Sequence, residues 1–314
     1  MCDKRIVFMG TPLFASNILE GLLAHNYNIV GVITQPDKEV GRKKILTPSP
    51  VKELAIQKGI EVLTPHKIRN EYEDVLALKP DLIITCAYGQ FIPSEILDYP
   101  KYKCINVHGS LLPKGRGGSP IQRSIIDGNE KTGITIMYMD EKMDEGDILY
   151  QKEMEIDDKD TNTTLFSKLS NLGLDMLIEF LPRLFVNDIN PIKQDNSFAT
   201  YTYNLTKQDE FISFNRTTKT VYNHIRGLLD NPGAFFVVNK KTYKILDVYY
   251  EITNIDKPNT IVGLENNYYR INCLDGFIKI YKIKPEGKNE MDAKSFYNGQ
   301  GRNLVGLNPI ENYE

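Results

Sequence analysis

Cysteine and histidine are scarce in these 314 residues, with four of each, and neither type clusters. Cys2, Cys86, Cys104 and Cys273 make no Cys-x-x-Cys pair, so a zinc ribbon or a paired redox centre has no foundation here. Cys86 and Cys104 stand in apolar runs and read as buried free thiols of a reducing compartment. His25, His66, His108 and His224 lack the close spacing of a helical zinc site, and no metal is expected. No run approaches the ~18 apolar residues of a membrane span. The opening MCDKRIVFMGT carries too short an apolar stretch for a signal core. No membrane partner is expected, and a cytoplasmic location is. Excess charge is missing too: 38 Lys and Arg face 41 Asp and Glu, a net −3. That argues against wholesale nonspecific binding of nucleic acid and leaves room only for a local basic patch. What remains is a soluble globular composition, 41% hydrophobic and 25% charged. The length suits two domains and a sizeable core without staples.

The first half alternates short apolar runs with helical patterns. Arg5–Met9, Ile29–Thr34, Leu82–Ala87 and Cys104–Val107 read as strands. Phe14, Ile18, Leu19, Leu22 and Leu23 mark one intervening helix, and Pro50–Lys58 another. Strands separated by helices imply parallel pairing. In such sheets the site lies beyond the carboxyl ends of the strands, which singles out Gly10–Pro12, Gln35–Pro50, Tyr88–Pro93 and His108–Gly118. Ile134–Met139 and Ile148–Lys152 read as strands around an acidic loop, and Thr163–Phe185 as the longest amphipathic helix. Val186–Thr206 turns polar yet holds Phe198, Tyr201 and Tyr203, so it reads as an ordered arm. After a helix at Thr217–Leu228 come five short strands: Ala234–Val238, Lys244–Tyr250, Thr260–Leu264, Tyr268–Asn272 and Phe277–Lys284. The expected class is α/β: a Rossmann-like, mostly parallel sheet domain at 1–188, a linker at 189–206 and a small OB-like β-barrel at 207–314.

Chemistry concentrates at Asn106, His108 and Asp144. Asn106-Val107-His108 closes a strand, and period-two alternation sends the amide and the imidazole to one side, away from Val107. Asp144 lies in the acidic loop MDEKMDEGDIL. An amide donor, a titratable ring and a carboxylate suit acyl transfer to an amine: donors stabilise charge growing on oxygen, and a base takes the proton from nitrogen. Taken alone, His108 could equally be a structural histidine and Asp144 part of a solvated turn. Gln35–Pro50 is longer than the usual 2–6 residues of such a loop and carries Lys38, Arg42, Lys43 and Lys44. It reads either as a solvated basic loop or as an arm contacting nucleic acid.

Several motifs together carry a resemblance: MGTPLFA (9–15), TQPDKEVGRKKILTPSPVK (34–52), AYGQFIP (87–93), INVHGSLLPKGRGGSPIQ (105–122), MDEGDIL (143–149), QDNSFATY (194–201) and IRGLLDNPGAFF (225–236). With them the chain resembles the methionyl-tRNA formyltransferases. The resemblance implies catalytic roles for Asn106, His108 and Asp144. It implies 10-formyltetrahydrofolate as co-substrate, held by Tyr88, Gly89, Gln90, Phe91 and Ile92 and by Ser110, Leu111, Leu112 and Pro113. It implies methionyl initiator tRNA as acceptor, contacted by Lys38, Arg42, Lys43 and Lys44. Because barrels of the expected type often bind nucleic acid, Lys207, Arg216, Lys240, Lys241, Lys282, Lys284 and Lys288 read either as a second tRNA surface or as solvated cations. A monomer is the expected working form.

The chain departs from the family pattern in three places. Gly115 replaces an aromatic residue before the Arg-Gly turn, Lys142 replaces a glycine two positions before Asp144, and Asp230-Asn231-Pro232-Gly233 lacks an aromatic residue. A side chain at Lys142 must fit a turn that favours positive φ. The rival readings are a formyltransferase acting on a purine precursor or an amino-sugar, a hydrolase with water as acceptor, and a non-catalytic RNA-binding module.

Overall fold

The computed structural model describes residues 3–41 and 43–313. The chain forms two compact units that interleave in sequence. The first comprises residues up to Gly117, Thr132–Met154 and Phe166–Thr202; the second comprises Gly118–Lys131, Glu155–Leu165 and residues from Tyr203 on. The arm expected as a linker therefore divides, with residues through Thr202 in the first unit.

In the first unit the strands are β1 (Ile6–Gly10), β2 (Ile29–Ile33), β3 (Lys38–Val40), β4 (Ile45–Thr47), β5 (Val62–Leu63), β6 (Leu82–Cys86), β7 (Cys104–His108), β8 (Arg116–Gly117), β9 (Lys131–Tyr138), β10 (Ile148–Glu155) and β11 (Tyr201–Thr202). Seven make the central sheet in the order β10-β9-β7-β6-β1-β2-β5. β1 pairs in parallel with β2 and β6, as do β2 with β5 and β6 with β7, while β7 meets β9 antiparallel. β1 and β6 are buried along their whole length, the pattern of parallel strands covered on both faces. The helices are α1 (Leu13–Ala24), α2 (Pro50–Gln57), α3 (Tyr72–Ala77), α4 (Ser94–Leu97), α5 (Pro120–Ile126, in the second unit) and α6 (Asn162–Phe185), which begins in the second unit and continues in the first. Ser49 caps α2, accepting a 3.0 Å hydrogen bond from the Lys52 amide.

Alternation sorts the strand residues between the two faces. Val7, Met9, Ile83 and Cys104 pack with Ile68, Val75, Leu78 and Ile96. Val107 points the other way, toward α6, where a Cβ on Gly173 would sit 3.1 Å from its Cγ1. The missing side chain at Gly173 thus sets how closely α6 approaches β7. On the same helix, Phe166 meets Phe14 of α1 edge-on, with centroids 6.0 Å apart.

The second unit holds β12 (Ala234–Val238), β13 (Lys241–Ile252), β14 (Ile261–Glu265), β15 (Tyr268–Asn272), β16 (Gly276–Pro285) and β17 (Met291–Asp292). They form one antiparallel sheet in the order β12-β13-β16-β15-β14, with β17 on β16. Two further helices are α7 (Thr218–Arg226) and α8 (Ala293–Gly299). Phe214, Val221, Ile225, Phe236, Tyr243, Tyr269, Ile278 and Phe296 fill its core. Where the family aromatic is missing, polar bonds hold the loop: Asn162 Nδ2 donates to the Asn231 carbonyl at 2.7 Å, and Thr163 Oγ1 to Asp230 Oδ2 at 2.9 Å.

Arg216, expected among the surface cations, is instead half-buried, and its guanidinium donates to His224 Nδ1 at 2.7 Å. His224 Nε2 lies 2.7 Å from the Asp209 carbonyl. Burial, then the adjacent Arg216 charge, lower the His224 pKa to about 4. Lys207 is engaged with Glu210 and lies over the Phe235 ring.

Candidate active site

β7 delivers its two polar side chains to one face, as period-two alternation requires. Asn106 Oδ1 accepts from Thr85 Oγ1 at 2.9 Å, which turns the amide nitrogen toward Asp144 Oδ1, 3.5 Å away. His108 is 7% exposed and its Nδ1 stands 3.7 Å from Asp144 Oδ2. Its Nε2 lies 2.9 Å from the Gly115 carbonyl, which can only accept, so the ring hydrogen is assigned to Nε2. The separations between the three functional groups are too long for good hydrogen bonds. Asn106 and His108 each approach one oxygen of the Asp144 carboxylate at the carboxyl end of β7.

The acidic loop reaches this point through an unusual backbone. Asp144 has φ +53°, a left-handed conformation that Asp tolerates better than most residues. Sequence reasoning placed the positive-φ demand at Lys142; the structure places it at Asp144 itself. The carboxylate is anchored by the Gly117 amide, which donates to Oδ2 at 2.8 Å. Gly146 is required for space: a Cβ there would lie 1.9 Å from the Tyr138 carbonyl oxygen. Gly115, where the family has an aromatic residue, takes φ +73°, a conformation glycine adopts freely.

Three further side chains complete the corner, Arg116, Gln194 and Thr200; all three stand in the sequence motifs above, but no role at the site is legible for them there. Arg116 is wholly buried. It donates to Gln194 Oε1 from Nε at 3.1 Å and from one terminal nitrogen at 2.8 Å, and to Asn196 Oδ1 at 2.7 Å. Its other terminal nitrogen is 3.4 Å from Glu145 Oε1. Gln194 Nε2 in turn donates at 2.8 Å to the carbonyls of Asp144 and Gly146. Thr200 Oγ1 accepts from the Gly115 amide at 2.9 Å. The QDNSFATY motif therefore packs onto the loops that carry His108 and Asp144.

The expected folate-binding turns follow β6 and β7. The Tyr88 carbonyl accepts from Thr11 Oγ1 and Gln35 Nε2, both at 3.0 Å. Gln90 is tied to the Ile68 amide at 2.9 Å. Ser110 Oγ donates to the Lys114 carbonyl at 2.7 Å. Leu112 is buried, its amide bound to Thr135 Oγ1 and its carbonyl to Gln151. Much of the polar capacity of these turns is thus spent on shaping them. Phe91, by contrast, is 71% exposed, and so is Leu13 by 63%, after the neighbouring strand β1. Among the described residues no cluster of His, Cys, Asp or Glu is placed to hold a metal, and no helix is long and apolar enough to cross a membrane.

The basic loop is folded rather than open. β3 and β4 form a hairpin in which Lys38 faces Thr47 and Val40 faces Ile45. Gly41 and Lys44 take positive φ at its turn. Arg42 lies outside the described residues. Lys44 is 3.4 Å from Glu39 Oε2. Val40, Ile45 and Leu46 are all more than half exposed.

The model of the formyl transferase family matches residues 4–181, and that of the formyl transferase C-terminal domain matches residues 204–301. The chain belongs to the formyl transferase family. Among formyl transferases it is 48% identical over 299 residues to the methionyl-tRNA formyltransferase of Bacillus mycoides, covering 94% of this chain and 95% of that one. In fold it resembles the methionyl-tRNA formyltransferase from Clostridium thermocellum, with a TM-score of 0.58, 22% identity and coverage of 79% and 94% of the two chains. It also resembles an N-formyltransferase from Helicobacter canadensis solved with folinic acid and dTDP-3-aminofucose. That likeness has a TM-score of 0.68 at 23% identity and covers 89% and 99%. At such identities the two structures speak for the formyl transferase fold alone.

Proposed function

We propose that the chain transfers the formyl group of 10-formyltetrahydrofolate to the α-amino group of methionyl initiator tRNA, giving N-formylmethionyl-tRNA for translation initiation. The observation that carries the chemistry is the convergence of Asn106 Nδ2, His108 Nδ1 and the Asp144 carboxylate within 3.5–3.7 Å at the end of β7. The acceptor is chosen on the 48% identity to a methionyl-tRNA formyltransferase, spread over nearly the whole chain.

The folate supplies an electrophilic formyl carbon on a nitrogen leaving group. Asn106 donates its amide hydrogen to the formyl oxygen as negative charge builds there, and the His108 ring, whose Nε2 hydrogen is held by the Gly115 carbonyl, presents its Nδ1 lone pair as an acceptor for the attacking amine. As the amine nitrogen bonds the formyl carbon, Asp144 receives the proton that the amine must lose; the bond from that carbon to the folate nitrogen then breaks, and the proton passes to the departing nitrogen, leaving tetrahydrofolate. Tyr88–Ile92 and Ser110–Pro113 wall the folate site, with Phe91 offering the apolar face. Lys38, Arg42, Lys43 and Lys44 of the hairpin meet the tRNA, and the C-terminal domain adds a second surface. The proposed setting is the cytoplasm and the proposed working form a monomer.

The test is a formyl-transfer assay with three acceptors: charged initiator tRNA, an amino-sugar nucleotide, and water. Transfer to the tRNA alone is expected. Preferential transfer to the sugar or to water would replace this reading with the corresponding rival.

A further inference from the structure

We infer that Gln194 is a positioning residue for Asp144, an inference that rests on the proposed role of Asp144 as the proton acceptor. Asp144 sits at φ +53°, a conformation that non-glycine residues hold only when their surroundings impose it. The Gly117 amide fixes one end of the residue, its carboxylate. Gln194 fixes the other, its peptide, by giving one amide hydrogen to each of the carbonyls of residues 144 and 146.

The orientation of the Gln194 amide is unambiguous. Its oxygen accepts from the Arg116 guanidinium through two nitrogens. A flipped amide would press oxygen against two carbonyls and nitrogen against a cation. Arg116, wholly buried and facing Glu145 as well, therefore acts as a fixed peg that aims Gln194 at the strained turn. Thr200 performs a parallel service for His108: it holds the Gly115 amide, and the Gly115 carbonyl faces the histidine ring. One short segment, 194–200, thus braces both Asp144 and His108.

The deciding variant is Gln194→Glu. It keeps the length and the acceptor for Arg116 and removes both donors to the turn. The expected result is a kcat lowered roughly 10–100-fold, the scale of a sub-ångström to ångström misplacement. The KM for the formyl donor stays near wild type, while the melting temperature falls, because a carboxylate oxygen now faces the two carbonyls. The ratio of variant to wild-type kcat rises as pH falls toward the carboxylic acid range, because the protonated side chain regains one donor. A merely structural glutamine would lower the melting temperature and leave the kcat of the folded enzyme unchanged. Should this variant fail to fold, Gln194→Met is expected to show the same kcat loss without the pH effect. Ser197→Ala, whose bonds stay within the segment, is the control and retains wild-type kcat. Wild-type kcat in Gln194→Glu or Gln194→Met overturns the inference, as does a kcat loss in Gln194→Glu with no pH-dependent recovery. Asp144→Asn is run alongside. If it too keeps its activity, the reading of the site fails; if it is inactive while Gln194→Glu is normal, only the inference fails.

Discussion

The catalytic corner and the β3–β4 hairpin handle side chains in opposite ways. In the corner, a wholly buried arginine, a buried histidine and a shielded carboxylate are each held by several partners. In the hairpin, Val40, Ile45 and Leu46 stand in solvent and Lys44 makes an exposed ion pair with Glu39. A corner so tied is prepared for one geometry before substrate arrives. A hairpin so bare gains its energy only from something that covers it. The contrast teaches that precision and reach are supplied by different parts of the same sheet edge.

The largest expected effect breaks the corner. Asp144→Asn and His108→Ala should each lower the single-turnover rate ~10²–10⁴-fold with little change in melting temperature. A near wild-type rate in either would remove that residue from the chemistry. Next comes a buried polar group with no catalytic duty, His224. Its pKa is about 4 in the fold, below the ~6.5 of an unfolded chain. Between those values the unfolded state binds the proton and the folded state does not. Stability is therefore complete above pH 6.5 and declines as pH falls toward 4, by about 3 kcal/mol at most. Urea melts across that window, with His224→Gln flattening the curve, check the sign.

The hairpin should respond to tRNA rather than to denaturant. Arg42→Ala is expected to cost roughly 1–3 kcal/mol in discrimination between initiator and elongator tRNA. Lys43→Ala should weaken both tRNAs alike and flatten the dependence on salt. Efficiency measured for the two tRNAs over a salt series distinguishes the outcomes, and no change with either returns the hairpin to a solvated surface. The smallest effect is Ile45→Ser, which should alter unfolding free energy by less than about 0.5 kcal/mol because the side chain is already exposed. A larger loss in urea would mean that the hairpin is held more tightly than its exposure implies.

Much of this was legible in the sequence because the signals are local. Runs such as IVFMG and LIITC announce buried strands, and alternation across Asn106-Val107-His108 sends two polar groups to one side. Other features were hidden for physical reasons. β5 is two residues long and presents no period to detect. The basic loop looked irregular because the exposed Val40, Ile45 and Leu46 do not show which face is buried. Lys142 was taken as the strained position because a family glycine is replaced there, whereas the turn places its positive φ at Asp144. The contact of Gln194 with Asp144 spans 50 residues, and no spacing rule brings those two motifs together.

The interleaving of the two units bears on how the protein is made. Six segments alternate between them, so the chain crosses from one to the other five times. During synthesis, Gly118–Lys131 and Glu155–Leu165 leave the ribosome long before the sheet they belong with, which starts at Ala234. They must wait for about 100 and about 70 residues of further chain, respectively. The segment that carries Gln194 and Thr200 likewise appears only after the loops it braces. The catalytic corner is thus completed late, and a chain stopped near residue 188 would carry all three reacting groups without Gln194 and Thr200. No single cut yields either unit whole.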